Sequence, residues 1–141
     1  MELLNPCLER ADVLKHSPLA LAHLGDGVYE LMVRTHLASN HDWSNEVMHR
    51  RTLEFVSANA QAAAFESIKD ILTEEELEWF KRGRNAHSKA PKHTPVAVYH
   101  TATGLETLFG YLWLTGAKAR LEEIFAAILD GRSEAVTNID E

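Results

Sequence analysis

Cysteine, long apolar runs and a leader-like N-terminus are scarce or missing in this sequence. Cys7 is the only cysteine among 141 residues, so the chain forms no internal disulfide and cannot build a cysteine zinc site. The longest stretch without Asp, Glu, Lys or Arg has 13 residues, 93–105, whereas a membrane helix needs about 20 apolar residues. No basic start followed by an apolar run opens the chain, so we expect no signal peptide and a cytoplasmic protein.

Strand patterns are also lacking, because no segment shows sustained alternation of apolar and polar residues. Helical spacing fills most of the chain, and 141 residues suit one domain with a self-sufficient core. We therefore predict an all-α fold, a single domain over residues 1–141 with its core in about residues 17–129. Gly131 and the polar tail are expected to end the fold. The predicted helices cover residues 19–37, 43–71 in one piece or broken near Ser57, 73–83, 95–116 and 117–129.

Charge is distributed unevenly along the sequence. The net charge is −7, yet residues 79–105 contain no acid and carry five bases. The other 114 residues hold nine bases and all 21 acids, a net charge of −12. A basic island on an acidic body is typical of a phosphate-binding surface, although a solvated polar loop would show the same pattern. We name residues 81–92 the basic segment; its charged members are Lys81, Arg82, Arg84, Lys89 and Lys92.

Two acids stand in apolar helical segments next to glycines. Asp26 lies between Gly25 and Gly27, and Glu106 is followed one turn later by Gly110. Each glycine inside a helix costs about 1 kcal/mol relative to alanine, and a carboxylate in apolar surroundings is costly unless it binds a cation or accepts hydrogen bonds. Each acid alone is equally compatible with a structural carboxylate. Together, from two helices, Asp26 and Glu106 are a candidate ligand pair for a hard divalent ion and candidate catalytic residues.

The neighbours of Asp26 add little to this candidate site. Glu30 follows Asp26 by four residues and would extend the metal site from the same helical face, but an ordinary ion pair with Arg34 is the favoured interpretation. His23 is interpreted as a packed histidine. The loop histidines lack the spacing of a helical zinc site, and Cys7 has no basic neighbour that would activate it as a nucleophile.

Four segments, taken in order, resemble motifs of the ribonuclease III family and, within it, of the short bacterial Mini-ribonuclease III group. They are residues 19–30 (LALAHLGDGVYE), 56–62 (VSANAQA), 81–86 (KRGRNA) and 106–112 (ETLFGYL). The resemblance implies a single ribonuclease III-like helical domain that forms a homodimer and hydrolyses double-stranded RNA. It implies Mg²⁺ as cofactor, with Mn²⁺ as a substitute, and a precursor of large-subunit (23S) ribosomal RNA as substrate.

The resemblance also assigns roles to residues. It carries the metal-binding and catalytic role over to Asp26 and Glu106, and it leaves no residues for the family's separate double-stranded RNA-binding domain. Larger members have two more acids, at the places that Leu19 and Thr103 occupy here; the Mini group shares both losses. His23 stands where larger members have an aromatic dimer contact. The residues implied to bind RNA are Lys81, Arg82, Arg84, Asn85, Lys89 and Lys92.

Two other functions stay open at this point. A non-catalytic RNA-binding or assembly domain of the same fold would also tolerate the missing acids. A helical phosphohydrolase of the histidine-aspartate type is suggested by the doublet of His41 and Asp42, with His36 nearby and Asp70 downstream. That doublet follows Ser39 and Asn40 in a turn-like segment, which would scatter the ligands.

Overall fold

A computed structural model describes the backbone of residues 2–140 and the side chains of residues 2–133. Within residues 2–140 the chain is all-helical and contains no strand, which confirms the predicted fold class. None of the helices described there is long and apolar enough to cross a membrane. In chain order they are α1 (Arg10–Val13), α2 (Pro18–Asn40), α3 (Asn45–Val56), α4 (Ala58–Ile68), α5 (Glu74–Arg84), α6 (Val96–Leu114) and α7 (Lys118–Asp140).

Side-chain caps set the starts of the central helices. The Ser17 hydroxyl accepts a hydrogen bond from the backbone N–H of Ala20 at 3.1 Å, with Pro18 in the first helical position of α2. Ser57 ends α3 and caps α4, so the predicted segment 43–71 is two helices. Thr73 and Glu76 form a complete capping box at the start of α5, the helix predicted over residues 73–83.

The hydrophobic helix α6 lies at the centre of the bundle, between α2 and α5. At its crossing with α2 the two backbones touch: a Cβ atom on Gly25 would lie 1.7 Å from the main-chain oxygen of Glu106. One turn later, a Cβ atom on Gly110 would lie 2.2 Å from the main-chain oxygen of Leu21. Only glycine permits so close an approach, which accounts for the two glycines that cost α2 and α6 helix propensity.

The hydrophobic core surrounds α6 and includes buried side chains of α1, α2, α4, α5 and α7. Tyr29 and Phe109 are buried and contact edge to face, with ring centroids 5.2 Å apart. Ile124 and Ile128 of α7 are fully buried in the same hydrophobic cluster. Burial of aromatic and branched side chains from these helices holds the α2–α6 crossing in place.

Two features of the fold differ from expectation. Helix α7 continues through Gly131 to Asp140, so the prediction that Gly131 ends the fold is wrong. A Cβ atom at this glycine would lie 2.5 Å from the Ser67 hydroxyl, so Gly131 permits contact with α4 and does not act as a stop signal. The one-turn helix α1 was not predicted, because four residues show no periodicity; its Val13 is fully buried and adds to the core.

Candidate active site

The carboxyl groups of Asp26 and Glu106 meet at the crossing of α2 and α6. They are hydrogen-bonded to each other. Asp26 is exposed, whereas Glu106 is half-buried. Burial, then the negative charge of Asp26 and the hydrogen bond between the two groups, raises the pKa of Glu106 to about 8. Without a cation, Glu106 therefore keeps its proton to a higher pH than an ordinary carboxyl group does.

Gln61 of α4 is a third residue at this site, and no role was predicted for it from the sequence. Its side chain is buried, with only 2% exposed. The amide nitrogen donates to the main-chain oxygen of Val56 at 3.1 Å, and a hydrogen bond to Glu106 acts to lower the pKa of that carboxyl group. The available signal was a polar residue in an alanine-rich segment that also contains Asn59, and such residues usually lie on an ordinary helix surface.

The three residues fit a hard divalent cation. Two carboxyl groups in contact repel each other when both are ionised, and a cation between them removes that repulsion. The buried Oε1 of Gln61 has no hydrogen-bond partner among the described residues, so this side chain still has an acceptor to satisfy. Within residues 2–133 no group of three or more His, Cys, Asp or Glu side chains could hold a metal. Two carboxylates suffice for Mg²⁺, which keeps several water ligands and binds substrate phosphates.

The other residues near Asp26 take no part in this contact. Glu30 forms the favoured ion pair with Arg34, at 3.2 Å. His23 is exposed, so its interpretation as a packed histidine is wrong; it lies on the same solvent-facing side of α2 as Asp26. Leu19 is 39% exposed and offers no ligand atom. Thr103 is buried, and its hydroxyl donates to the main-chain oxygen of Tyr99 at 3.1 Å.

The basic segment begins as the last turn of α5 and continues as irregular chain. Arg82 lies over the ring of Trp79, with its guanidinium carbon 4.7 Å from the ring centroid. Arg84 lies 5.7 Å from the Phe80 ring and donates to the Asn85 side chain at 3.1 Å. These contacts fix two of the arginines on the rigid end of a helix. The other three cations, Lys81, Lys89 and Lys92, are exposed.

The histidine-aspartate doublet does not form a metal site. His36 lies in α2, and its Nδ1 is 3.3 Å from the Asn40 amide. His41 and Asp42 lie in the connection between α2 and α3, outside any helix. Since no metal-binding group of three is found in residues 2–133, nothing described supports a histidine-aspartate phosphohydrolase.

Comparison with known proteins agrees with this geometry. Residues 19–117 match the sequence model of the Ribonuclease III domain. The chain is similar to a Mini-ribonuclease 3 of Clostridium tetani, with 40% identity over 134 residues, 94% of this chain and 89% of that protein. A Mini-ribonuclease 3 of a Thermoanaerobacter species is 42% identical over 118 residues, 83% of each chain.

A solved structure extends the likeness to the fold. The X-ray crystal structure of a Fusobacterium nucleatum protein matches with a TM-score of 0.77 and 26% identity, over 86% of this chain and 98% of that one. The matched family segment contains Asp26, Gln61 and Glu106, together with the basic segment. The resemblance that the four sequence motifs indicated is thereby confirmed. The chain belongs to the ribonuclease III family and is a hydrolytic endoribonuclease.

Proposed function

We propose that this chain uses a divalent metal, Mg²⁺ with Mn²⁺ as a substitute, to hydrolyse phosphodiester bonds of double-stranded RNA. The observation that carries the proposal is the contact between Asp26 and Glu106, where two helices touch through glycine. A half-buried carboxyl group with its pKa raised to about 8 is costly to ionise. A bound cation would stabilise the ionised form and so offset this cost. Asp26 and Glu106 are therefore the proposed catalytic and metal-binding residues.

The roles of the side chains follow from their positions. Asp26 and Glu106 would hold the ion, while the buried amide of Gln61 keeps Glu106 in one orientation. What a divalent ion supplies at such a pair is positive charge that polarises the phosphodiester, acidifies water and stabilises the leaving 3′ oxygen. Glu106 must release its proton to become a ligand. Metal affinity should therefore rise with pH through the pKa of Glu106, about 8.

The basic segment provides the proposed RNA-binding surface. The exposed Lys81, Lys89 and Lys92, together with Arg82, Arg84 and Asn85, would contact phosphates and 2′-hydroxyls. A-form duplexes are recognised largely by shape across the wide minor groove, and contacts of this kind carry little base specificity. Because each phosphate contact releases counterions, binding through this surface depends strongly on salt.

A homodimer is the proposed active assembly. An apolar cleft of about 300 Å³ lies between α2, α6 and α7, and Leu31 in its wall is 57% exposed. Gly27, the neighbour of Asp26, lines the same cleft. Pairing two chains through this face would cover the exposed leucine and bring two carboxyl pairs close to one duplex, one for each strand. Lining residues are Leu24, Gly27, Val28, Leu31, Met32, Trp113, Lys118, Leu121 and Glu122.

The proposed biological substrate is a precursor of large-subunit ribosomal RNA, processed in the cytoplasm. The support for this substrate is the likeness to the Mini-ribonuclease III group seen in the four sequence motifs. Purified protein is expected to cut a precursor transcript at defined positions within a duplex region. Random degradation of the transcript, or cutting only in its single-stranded parts, would contradict the assignment.

The general activity has a direct test. End-labelled RNA duplex, single-stranded RNA of the same sequence and the matching DNA duplex are incubated with purified protein and Mg²⁺, Mn²⁺ or EDTA. Cleavage of the RNA duplex alone, dependent on added metal, is the expected result. Duplex binding without cleavage under every metal condition would overturn the proposal and favour the non-catalytic RNA-binding alternative.

A further inference from the structure

A second cleft, of about 490 Å³, lies at the C-terminal end of α2, where α3 and α7 meet it. Its volume is in the range of sites that hold small ligands, roughly 300–1,000 Å³. Asp26 and His36 are ten residues apart in α2, which separates the cleft from the carboxyl pair by about 15 Å along the helix. The aromatic and basic side chains that line it are His36, His41, Trp43, Arg51, Phe55 and Arg132.

The first feature of this cleft is an aromatic stack. The rings of His41 and Trp43 lie face to face, with centroids 3.7 Å apart and planes inclined by 5°. His41 is exposed and Trp43 is half-buried, so the outer ring of the stack faces solvent. A flat, exposed ring backed by a second ring is the kind of surface on which nucleobases stack in single-stranded nucleic-acid sites.

The second feature is positive charge. The guanidinium of Arg132 lies 3.8 Å from the centroid of the Phe55 ring and donates to the main-chain oxygen of Glu54 at 3.2 Å. Arg51 lies 5.6 Å from the Trp43 ring and pairs with the Glu54 carboxylate at 3.3 Å. Glu54 is the one acid among the ten lining residues, all of which lie in the described part of the chain. Its charge is balanced by Arg51, which leaves Arg132 as excess positive charge.

This combination is unusual for the surface that carries it. Outside residues 79–105 the chain has a net charge of −12, yet two arginines and two histidines converge on this cleft. A guanidinium held by a ring and a main-chain oxygen is pre-oriented to bind a phosphate through its remaining N–H groups.

We propose that the cleft binds a nucleoside monophosphate unit, with the base stacked on the His41–Trp43 pair and the phosphate beside Arg132 and Arg51. The unit has two sources, a free nucleotide or an unpaired nucleotide of an RNA strand, and both present the same base and phosphate. The doublet of His41 and Asp42 then supplies a stacking ring rather than a metal ligand.

Calorimetric titration of the full chain tests the proposal. The probes are adenosine 5′-monophosphate, adenosine, inorganic phosphate and a hexa-adenylate single strand, all without metal. The monophosphate is expected to bind with a Kd below about 1 mM and at least fivefold more tightly than adenosine or phosphate. Tighter binding of the hexa-adenylate identifies the strand as the source, whereas equal or weaker binding identifies the free nucleotide. Phosphate that binds as tightly as the monophosphate, or no binding of either adenylate probe, overturns the proposal.

Matched variants locate the bound unit. His41→Ala and Arg51→Gln are each expected to weaken monophosphate binding at least fivefold. The controls His49→Ala and Arg50→Gln, exposed residues of α3 that do not line the cleft, should leave it unchanged. Equal affinity in the cleft variants and the controls, with melting temperatures unchanged, contradicts the proposal. Asp26→Asn should bind the monophosphate as the natural chain does; loss of binding there would place the ligand at the carboxyl pair and overturn the second site.

Discussion

At the scale of single residues, the site depends on one shared proton. Burial and the negative charge of Asp26 raise the pKa of Glu106 to about 8, so this carboxyl group ionises only at alkaline pH in the metal-free protein. A group whose pKa is raised in the folded state contributes stability below its unfolded value, 4.5, and loses that contribution as the pH rises through 8. This loss accumulates between pH 4.5 and about 8, so the metal-free fold is less stable at pH 9 than at pH 5, and metal binding is expected to restore stability.

Glu106→Gln is expected to remove this pH dependence, because a neutral amide can donate to Asp26 as the protonated carboxyl does. Urea unfolding in EDTA at pH 5 and pH 9 measures the effect. Relative to the natural chain, the variant should gain at least about 1.4 kcal/mol of unfolding free energy between these pH values. Glu78→Gln, with its side chain 64% exposed, is the matched control. An equal pH response in all three proteins would show that Glu106 ionises normally.

Gln61 is expected to act on the metal through Glu106. Gln61→Leu removes the donor to Glu106 and leaves the main-chain oxygen of Val56 without its partner, at a cost of about 1–3 kcal/mol in stability. Mg²⁺ affinity, measured by calorimetry, should fall at least threefold, while the cleavage rate at saturating Mg²⁺ recovers most of its value. Thr103→Val removes a buried hydroxyl that is hydrogen-bonded within its own helix, and it should change neither the Mg²⁺ affinity nor the cleavage rate. Unaltered Mg²⁺ affinity in a folded Gln61→Leu protein would limit Gln61 to a structural role.

At the scale of helices, the crossing of α2 and α6 places the carboxyl groups. The helices predicted over residues 19–37 and 73–83 start within one residue of α2 and α5. Of the two glycines beside Asp26, which cost α2 helix propensity, Gly25 lies at the close approach and Gly27 does not. The position of Gln61 and the extension of α7 past Gly131 could not be predicted in this way. Both depend on which helices pack together: the neighbour of Gly131 is Ser67, far away in sequence. Local patterns contain no information on such partners.

Gly25→Ala and Gly27→Ala form a matched pair that tests the crossing. A Cβ atom on Gly25 would collide with the main-chain oxygen of Glu106, whereas one on Gly27 meets nothing within 4 Å. Gly25→Ala should therefore lose more than about 3 kcal/mol or fail to fold, and Gly27→Ala should gain up to about 1 kcal/mol from helix propensity. Thermal unfolding in a Leu31→Arg background keeps any dimer contact at Gly27 out of the comparison. Equal effects of the two substitutions would argue against a glycine-mediated crossing.

At the scale of the whole molecule, three surfaces have distinct chemistry. The basic segment is cationic, the cleft around Leu31 is apolar, and the cleft around His41 combines aromatic and basic groups. The net charge of −7 alone would have argued against RNA, but its distribution along the chain predicted the basic segment. The apolar surface was suggested only weakly by composition, because exposed leucines are common on monomers.

Sedimentation velocity tests the dimer at micromolar concentration. The natural chain is expected to sediment at twice its mass of 15.8 kDa, and Leu31→Arg at the monomer mass, because a charge in the apolar cleft would be buried without a partner. Leu53→Arg is the matched control, since Leu53 is 51% exposed but does not line the cleft. A monomeric natural chain, or a dimer that tolerates Leu31→Arg, would contradict this interface.

The most direct measurement is duplex RNA cleavage with Mg²⁺ by the natural chain, Asp26→Asn and Glu106→Gln. Both substitutions replace a carboxyl group that can bind the metal with an amide of the same shape, so helical content and dimer mass should stay the same. The cleavage rate should fall at least about a hundredfold in each variant, because each removes a proposed metal ligand. Asp70→Asn, in the turn after α4, should cleave as the natural chain does. A folded Asp26→Asn or Glu106→Gln protein that cleaves duplex RNA at a near-natural rate would contradict the assignment of the carboxyl pair as the catalytic site.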